Sequence, residues 1–202
     1  MSILIVDNRR VRVTQQYTPS VKASMTEKLI RTVSRHFPTS TIRAVNDSAS
    51  DDSFEDSLDI PDDTRLVILS GSSLHLPSDI HVVDRAVSIV EWAREHDVPV
   101  LGICFGMQLL AHMYGGKIAR RKSNKPYQYP SAFVNNRPVY FNHTDCVVQL
   151  PDGFSSDGKQ HEGGYYTNMK RGTTMFGVQW HPEGSQEGRS WLVTYIQKQL
   201  VR

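Results

Sequence analysis

The sequence is short of the features that would make it a disulfide scaffold, a metal-finger protein or a membrane protein. Only two cysteines, Cys104 and Cys146, occur in 202 residues. They form neither a CxxC pair nor a multi-cysteine framework, which argues against both a disulfide-stapled fold and a cysteine-rich zinc site. No stretch approaches the roughly 18 apolar residues of a membrane span. The opening Met1 to Asp7 has no basic leader and only a short apolar run, so it reads as a buried first strand and not as a signal peptide. The formal net charge of +2 is too small for nucleic-acid binding by bulk electrostatics. These absences point to a soluble protein of a reducing compartment, the cytoplasm, that binds neither nucleic acid nor membrane. Nothing calls for a metal or another cofactor.

What is present is enough apolar material, 39% of the residues, for one well-packed core. No internal repeat or linker divides the chain, so residues 1–202 are expected to form a single α/β domain. Short apolar runs alternate with helical patterns, the arrangement of a mostly parallel sheet wrapped by helices. Ile3 to Val6 reads as the first strand. Met25, Leu29, Val33 and Phe37 mark a helix starting at about Val21 and ending at Pro38. Ile42 to Val45 is a short strand. Asn46 to Thr64, rich in Asp and Ser, reads as a solvated loop with room for a short helix at Phe54 to Leu58.

The centre of the chain is more regular. Leu66 to Leu69 is a buried strand ending in Ser70-Gly71-Ser72-Ser73. Asp79 is placed to cap a helix carrying Ile80, Val83, Val87 and Val90 on one face. Val98 to Ile103 is the next strand, running into Cys104 and a helix that stops at Gly115-Gly116. Shorter strands are expected at Val139 to Asn142, Val147 to Leu150 and Thr174 to Gln179, with turns at Pro151-Asp-Gly153 and Lys170-Arg-Gly172. A final amphipathic helix spans Gln186 to Leu200.

The chemistry centres on Gly102-Ile103-Cys104-Phe105-Gly106. A nucleophile with glycine two residues to either side, between strand and helix, is the pattern of a sharp turn that holds the nucleophile in strained geometry. Such a turn sets the thiol at a helix N-terminus, where backbone N–H groups and the helix dipole favour thiolate. The N–H of Phe105 is then available to an oxyanion. A cysteine nucleophile needs a base, and the base an orienting partner. Gln179-Trp180-His181-Pro182-Glu183 offers both: Pro182 biases His181 toward extended backbone, and alternate residues of an extended segment project to the same side.

Pro99-Val-Leu-Gly-Ile-Cys-Phe-Gly-Met-Gln-Leu-Leu-Ala-His112 with Gly115-Gly116, and Phe176-Gly-Val-Gln-Trp-His-Pro-Glu183, resemble the two signatures of class I (triad-type) glutamine amidotransferases. The similarity is closest to the glutaminase domain of GMP synthase, and its landmarks run in order through most of the chain. The resemblance implies a flavodoxin-like three-layer sandwich, a mostly parallel central sheet with a smaller antiparallel sheet. It implies that Cys104 attacks the side-chain amide of L-glutamine to give a thioester and release ammonia, with His181 as base and acid and Glu183 orienting it. Gln108 matches the family glutamine that contacts substrate. Asn142-His143 stands where the family usually has Ser-His, whose backbone helps hold the α-amino and carboxylate groups. Gly71-Ser72-Ser73 stands where the family usually reads Gly-Gly-Pro or Gly-Pro-Gly, so Ser72 occupies the place of a glycine that often donates the second oxyanion N–H. The segment between Gly116 and Val139 looks abbreviated. The ammonia-accepting synthetase implied by the resemblance would be a separate subunit, with a GMP synthase-type partner the leading choice.

Two other readings stay open on the sequence: a hydrolase of another γ-glutamyl substrate, and a non-catalytic regulatory or binding module on the same fold. Lys117, Arg120, Arg121, Lys122 and Lys125 form a basic cluster, read as a solvated face. His161-Glu162 resembles the start of a metalloprotease motif but lacks the second histidine, so no metal is assigned. Cys146 has no glycine context and reads as a structural thiol.

Overall fold

The computed structural model describes residues 1–8, 24–46, 60–120, 129–134, 137–157 and 164–201. Its first half contains β1 (Ser2–Asp7), α1 (Met25–His36), β2 (Thr41–Asn46), β3 (Thr64–Leu69), α2 (Asp84–Glu95), β4 (Val100–Ile103) and α3 (Phe105–Met113). There follow β5 (Lys117–Arg120), β6 (Tyr129–Val134), β7 (Arg137–Phe141), β8 (Asp145–Gln149), β9 (Asn168–Arg171), β10 (Met175–Val178) and α4 (Gln186–Leu200).

The central strands are apolar at consecutive positions because both of their faces are covered. In β1, Ile3 and Ile5 enter one core while Leu4 and Val6 enter the other. In β3, Leu66 and Ile68 alternate with Val67 and Leu69 in the same way. Leu29 and Val33 of α1 and Leu192 and Ile196 of α4 close the first face. The second is closed by Ala86, Ile89, Val90 and Ala93 of α2 and by Phe105, Leu109 and Leu110 of α3. The result is helix layers on both sides of a six-stranded sheet ordered β2-β1-β3-β4-β10-β9. All neighbours pair in parallel except β10 and β9, which are antiparallel. Beside it, β5 pairs with β8 and β6 with β7, each an antiparallel two-stranded sheet. The expected sandwich is therefore present, with two small antiparallel pairs in place of one. Among the described residues, no helix is long and apolar enough to cross a membrane.

Local chemistry sets the helix ends. Ser24 builds a capping box: its Oγ accepts from the Glu27 N–H at 3.2 Å while its own N–H donates to Glu27 Oε2 at 3.2 Å. The helix expected from about Val21 accordingly starts at Met25, and residues 21–23 lie outside the described residues. Asp79 does not cap a helix. Its Oδ2 accepts from the His75 N–H at 2.7 Å, Ile80–Val82 form a single 3₁₀ turn, and α2 begins only at Asp84. The carboxylate has closed a local loop instead, an alternative that short acidic side chains readily take. The loop core expected between Asn46 and Thr64, with its short helix at 54–58, lies outside the described residues.

Strands β5, β6 and β9 are not apparent in the sequence. The Lys-Ile-Ala-Arg of β5, exposed at both ends, and the Asn-Met-Lys-Arg of β9, exposed at its last residue, are four-residue segments stabilised by pairing with β8 and β10 and not by a periodic apolar face. In α4, Ser185 accepts from the Gly188 N–H at 3.0 Å, and Ile196, fully buried, presses onto the sheet. Ile196→Ala is expected to lower the unfolding free energy by about 2–5 kcal/mol. Urea denaturation with an unchanged m-value is the check.

Candidate active site

Three loops at the C-terminal ends of adjacent strands converge on one spot: Ser70–Ser73 after β3, Cys104 after β4, and His181 just beyond β10. Ligands of open α/β sheets gather at this edge. Two backbone contacts fix the approach. Ile103 and Val178 are partners in register, and the Cys104 N–H donates to the Val178 carbonyl at 2.7 Å. His181 is held from the other side, its N–H donating to the Tyr140 carbonyl at 2.7 Å.

Cys104 has φ 53° and ψ −102°, a conformation that L residues rarely adopt. The flanking glycines explain how the turn is tolerated. A Cβ on Gly102 would come within 2.5 Å of the Gly106 carbonyl, and one on Gly106 within 2.6 Å of the Leu69 carbonyl. Strand β4, the first turn of α3 and strand β3 thus approach too closely for any side chain at those positions. Gly71 meets a third constraint, since a Cβ there would lie 2.7 Å from His181 Cε1 and 3.6 Å from Cys104 Cβ.

His181 keeps the extended backbone expected before Pro182, with φ −98° and ψ 98°. The segment beyond it does not stay extended. Pro182–Gly184 form a 3₁₀ turn closed by the Gly184 N–H on the His181 carbonyl at 3.0 Å, and this turn brings Glu183 back beneath the imidazole. Glu183 Oε1 lies 2.8 Å from His181 Nδ1, with both residues buried. Glu183 Oε2 finds no hydrogen-bond partner among the described residues, so the carboxylate is devoted to the imidazole. Burial opposes charge on His181, but the Cys104 thiolate and then the Glu183 carboxylate outweigh it, and the imidazole titrates well above the ordinary 6.5. With Nδ1 on Glu183, Nε2 is the nitrogen left to the sulfur.

These groups open onto a cavity of about 430 Å³ lined by Met25, Gly71, Ser72, His75, Cys104, Gln108, Asn142, His143, Asp145 and His181, among others. That size lies within the roughly 300–1,000 Å³ of small-ligand sites. Of the site residues expected from the sequence, Gly71, Ser72, Cys104, Gln108, Asn142, His143 and His181 line the cavity; Phe105 and Glu183 do not, Glu183 lying against His181. Ser72 uses its Oγ locally, accepting from the Leu74 N–H at 3.1 Å. The Asn142 carbonyl lies 3.9 Å from Cys104 Sγ. The ring of His143 is packed edge-on between Phe141 and Tyr165. Gln108 directs its amide nitrogen to the Asp145 carbonyl at 2.6 Å. The side chain of Phe105 is in the core, which leaves its N–H, in the first turn of α3, as its contribution to the site.

Sequence reasoning missed several residues. Asn8, at the end of β1, braces the Gly71 loop: its N–H donates to Ser70 Oγ at 3.1 Å and its Nδ2 to the Ser70 carbonyl at 2.8 Å. His75 Nδ1 lies 2.5 Å from Asp145 Oδ2 at the cavity wall. Gln179 is fully buried with its Nε2 3.7 Å from Cys104 Sγ. A glutamine two residues before His181, at the end of an otherwise apolar strand, was the one available signal. Lys117 and Arg120 lie on β5 with exposed side chains; Arg121, Lys122, Lys125, His161 and Glu162 lie outside the described residues. Cys146 is buried, its Sγ 3.5 Å from the Ala119 carbonyl.

Residues 20–193 match the family model for glutamine amidotransferase class-I. The chain belongs to this family. Among curated relatives of this amidotransferase, the GMP synthase [glutamine-hydrolyzing] of Bacillus subtilis is 34% identical over 143 residues, covering 64% of this chain and 27% of that protein. The GMP synthase [glutamine-hydrolyzing] of Bacillus licheniformis is 34% identical over 115 residues, covering 50% of this chain and 22% of that protein. The chain thus spans about a quarter of the length of the curated relatives it matches. A Thermoplasma acidophilum protein described as a candidate subunit of GMP synthase has the same fold, with a TM-score of 0.67 at 20% identity over 100% of this chain and 94% of that one. A glutamine amidotransferase from Thermotoga maritima superposes with a TM-score of 0.65 at 17% identity, over 98% of this chain and 83% of that one.

The raised titration of His181 gives a direct check. In a histidine-detected NMR titration its imidazole should stay protonated above pH 6.5. In Cys104→Ala the thiolate's favourable charge is gone and the burial that opposes ionisation remains, so the midpoint should fall below that of the unaltered protein. A second check follows from the contact at Gly71. Gly71→Ala must displace the His181 ring, and the rate of Cys104 alkylation by iodoacetamide at neutral pH should drop about tenfold or more.

Proposed function

We propose that the protein hydrolyses L-glutamine to glutamate and ammonia with Cys104, His181 and Glu183 as its catalytic residues. The observation that carries this reading is a cysteine in forced left-handed geometry beside a buried His–Glu pair at a ligand-sized cavity. The imidazole of His181, held by Glu183 beside the sulfur, takes the thiol proton as Sγ becomes the nucleophile. Sγ adds to the δ-carbon of glutamine to form a C–S bond, and the carbonyl π electrons move onto oxygen. The N–H groups of Phe105 and Ser72 are the candidate donors to that oxyanion. Collapse of the tetrahedral adduct breaks the C–N bond while His181 Nε2 gives its proton to the departing nitrogen, releasing ammonia and leaving a γ-glutamyl thioester. Neutral His181 then takes a proton from water as its oxygen attacks the same carbon. Collapse expels the thiolate and yields glutamate, with the imidazolium restored. Glu183 keeps Nε2 facing the reaction throughout and stabilises the charged ring.

Gln108, Gly71 and the backbone of Asn142 and His143 are assigned to substrate binding because they line the cavity next to the sulfur. Ser72 serves through its N–H, which a side chain does not remove. The acceptor of the ammonia is placed on a separate synthetase subunit. Support for a GMP synthase-type partner is the similarity to about a quarter of the glutamine-hydrolysing GMP synthases, together with the likeness in fold to a protein described as part of such an enzyme. The same resemblance supports a cytoplasmic setting and residues 1–202 acting as one amidotransferase domain.

Purified protein should release ammonia and glutamate in equal amounts from L-glutamine, by coupled glutamate dehydrogenase assay, alone or with the synthetase component of a GMP synthase added. Cys104→Ala should abolish release, and Glu183→Gln should lower kcat on the order of 10²-fold or more. Release that persists in Cys104→Ala overturns the assignment. Activity on other γ-glutamyl amides with none on glutamine would replace it with a different γ-glutamyl hydrolase.

A further inference from the structure

The sulfur of Cys104 is met by a side-chain amide that the triad chemistry does not use. Gln179 has no exposed surface, and its Nε2 lies 3.7 Å from Cys104 Sγ. A wholly buried glutamine is uncommon, because its amide must be satisfied on every side. The orientation of this one is fixed by a chain of partners. The main-chain carbonyl of Asp145 can only accept, so the Gln108 group 2.6 Å away from it is the NH₂. That same nitrogen lies 3.5 Å from the amide end of Gln179, which must then be its oxygen. The NH₂ of Gln179 is thereby directed at the sulfur. Asp145 is itself anchored, by the pairing of β8 with β5 and by its carboxylate against His75.

We propose that Gln179 is a positioning residue for Cys104, donating a hydrogen bond that aims the sulfur and favours its ionised form, with Gln108 and the Asp145 carbonyl setting its polarity. The proposal rests on the reading of Cys104 as the nucleophile and adds a second support to it. His181 approaches as a charged partner, while Gln179 supplies a neutral donor that remains in place when His181 surrenders its proton. A thiolate expelled from the thioester is then still hydrogen-bonded while the imidazole reprotonates. Because Gln108 also lines the cavity, a ligand that pulls on its amide would act on the sulfur through Gln179.

The test is the pH profile of Cys104 alkylation by iodoacetamide, read on the Cys104 peptide by mass spectrometry so that Cys146 does not contribute. Gln179→Met keeps the volume and removes the donor; Gln179→Glu turns a carboxylate oxygen toward the sulfur. Thermal unfolding of each variant establishes that it is folded. The expected result is a midpoint raised by about one pH unit in Gln179→Met, a roughly tenfold loss of reactive sulfur on the acid limb, and a larger rise in Gln179→Glu. In glutamine hydrolysis, kcat should fall while KM holds. Folded variants with unshifted alkylation profiles overturn the proposal and leave Gln179 a packing residue. A readout that needs no variant is the side-chain ¹⁵NH₂ resonance of Gln179 in the unaltered protein, which should follow the Cys104 titration; a resonance indifferent to it overturns the proposal equally. Loss of the glutaminase reading would appear separately, as absent ammonia release from the unaltered protein, with the alkylation profiles still interpretable.

Discussion

The site depends on the parallel pairing of β4 with β10. Their register sets Ile103 against Val178, so the chain leaves both strands at the same edge of the sheet, and the Cys104 N–H on the Val178 carbonyl ties the two exits together. Neighbouring strands lie roughly 4.8 Å apart, which is close enough for side chains on adjacent exits to meet. A slip of one residue would turn every side chain of β10 to the opposite face and carry His181 away from the sulfur. Burial enforces the register: Val178 enters one core, Met175 the other, and neither could be exchanged without exposing apolar surface.

Around that pairing the structure concentrates its exceptions to ordinary protein architecture. A non-glycine residue takes positive φ at Cys104, glycines at 102 and 106 allow backbone to touch backbone, and Glu183 is buried with one oxygen on His181 and the other without a partner among the described residues. Each is unfavourable by itself. They persist because two apolar cores clamp the strands and helices from both sides, and because the buried charges compensate one another. The imidazole stays protonated against the cost of burial because thiolate and carboxylate flank it.

Legibility in the sequence varies with the kind of force involved. The parallel strands and α4 are plain because burial on two faces, or on one stripe of a helix, writes itself into apolar spacing. The start of α2 is not where Asp79 suggests, because that carboxylate takes a local turn over a cap, two options of similar energy that composition does not rank. The short strands β5 and β9 carry no apolar period, since their partners β8 and β10 supply the stabilisation. Ser72 is legible as a departure from the family's usual glycine, but not the use of its hydroxyl, which is turned back onto Leu74.

The glycine spacing around Cys104 determined from the sequence alone that a strained strand-to-helix turn presents this thiol, because such a turn leaves no room for side chains at 102 and 106. The Trp-His-Pro-Glu run likewise determined an extended histidine with a carboxylate near it. Only the tertiary structure decided that these two segments meet, that the turn at Pro182–Gly184 folds Glu183 under His181, and that Asn8, Gln108, Asp145 and Gln179 brace them. Apart from that short turn, those contacts join residues far apart along the chain, and their geometry is set by sheet register and core packing, which no local run of residues encodes.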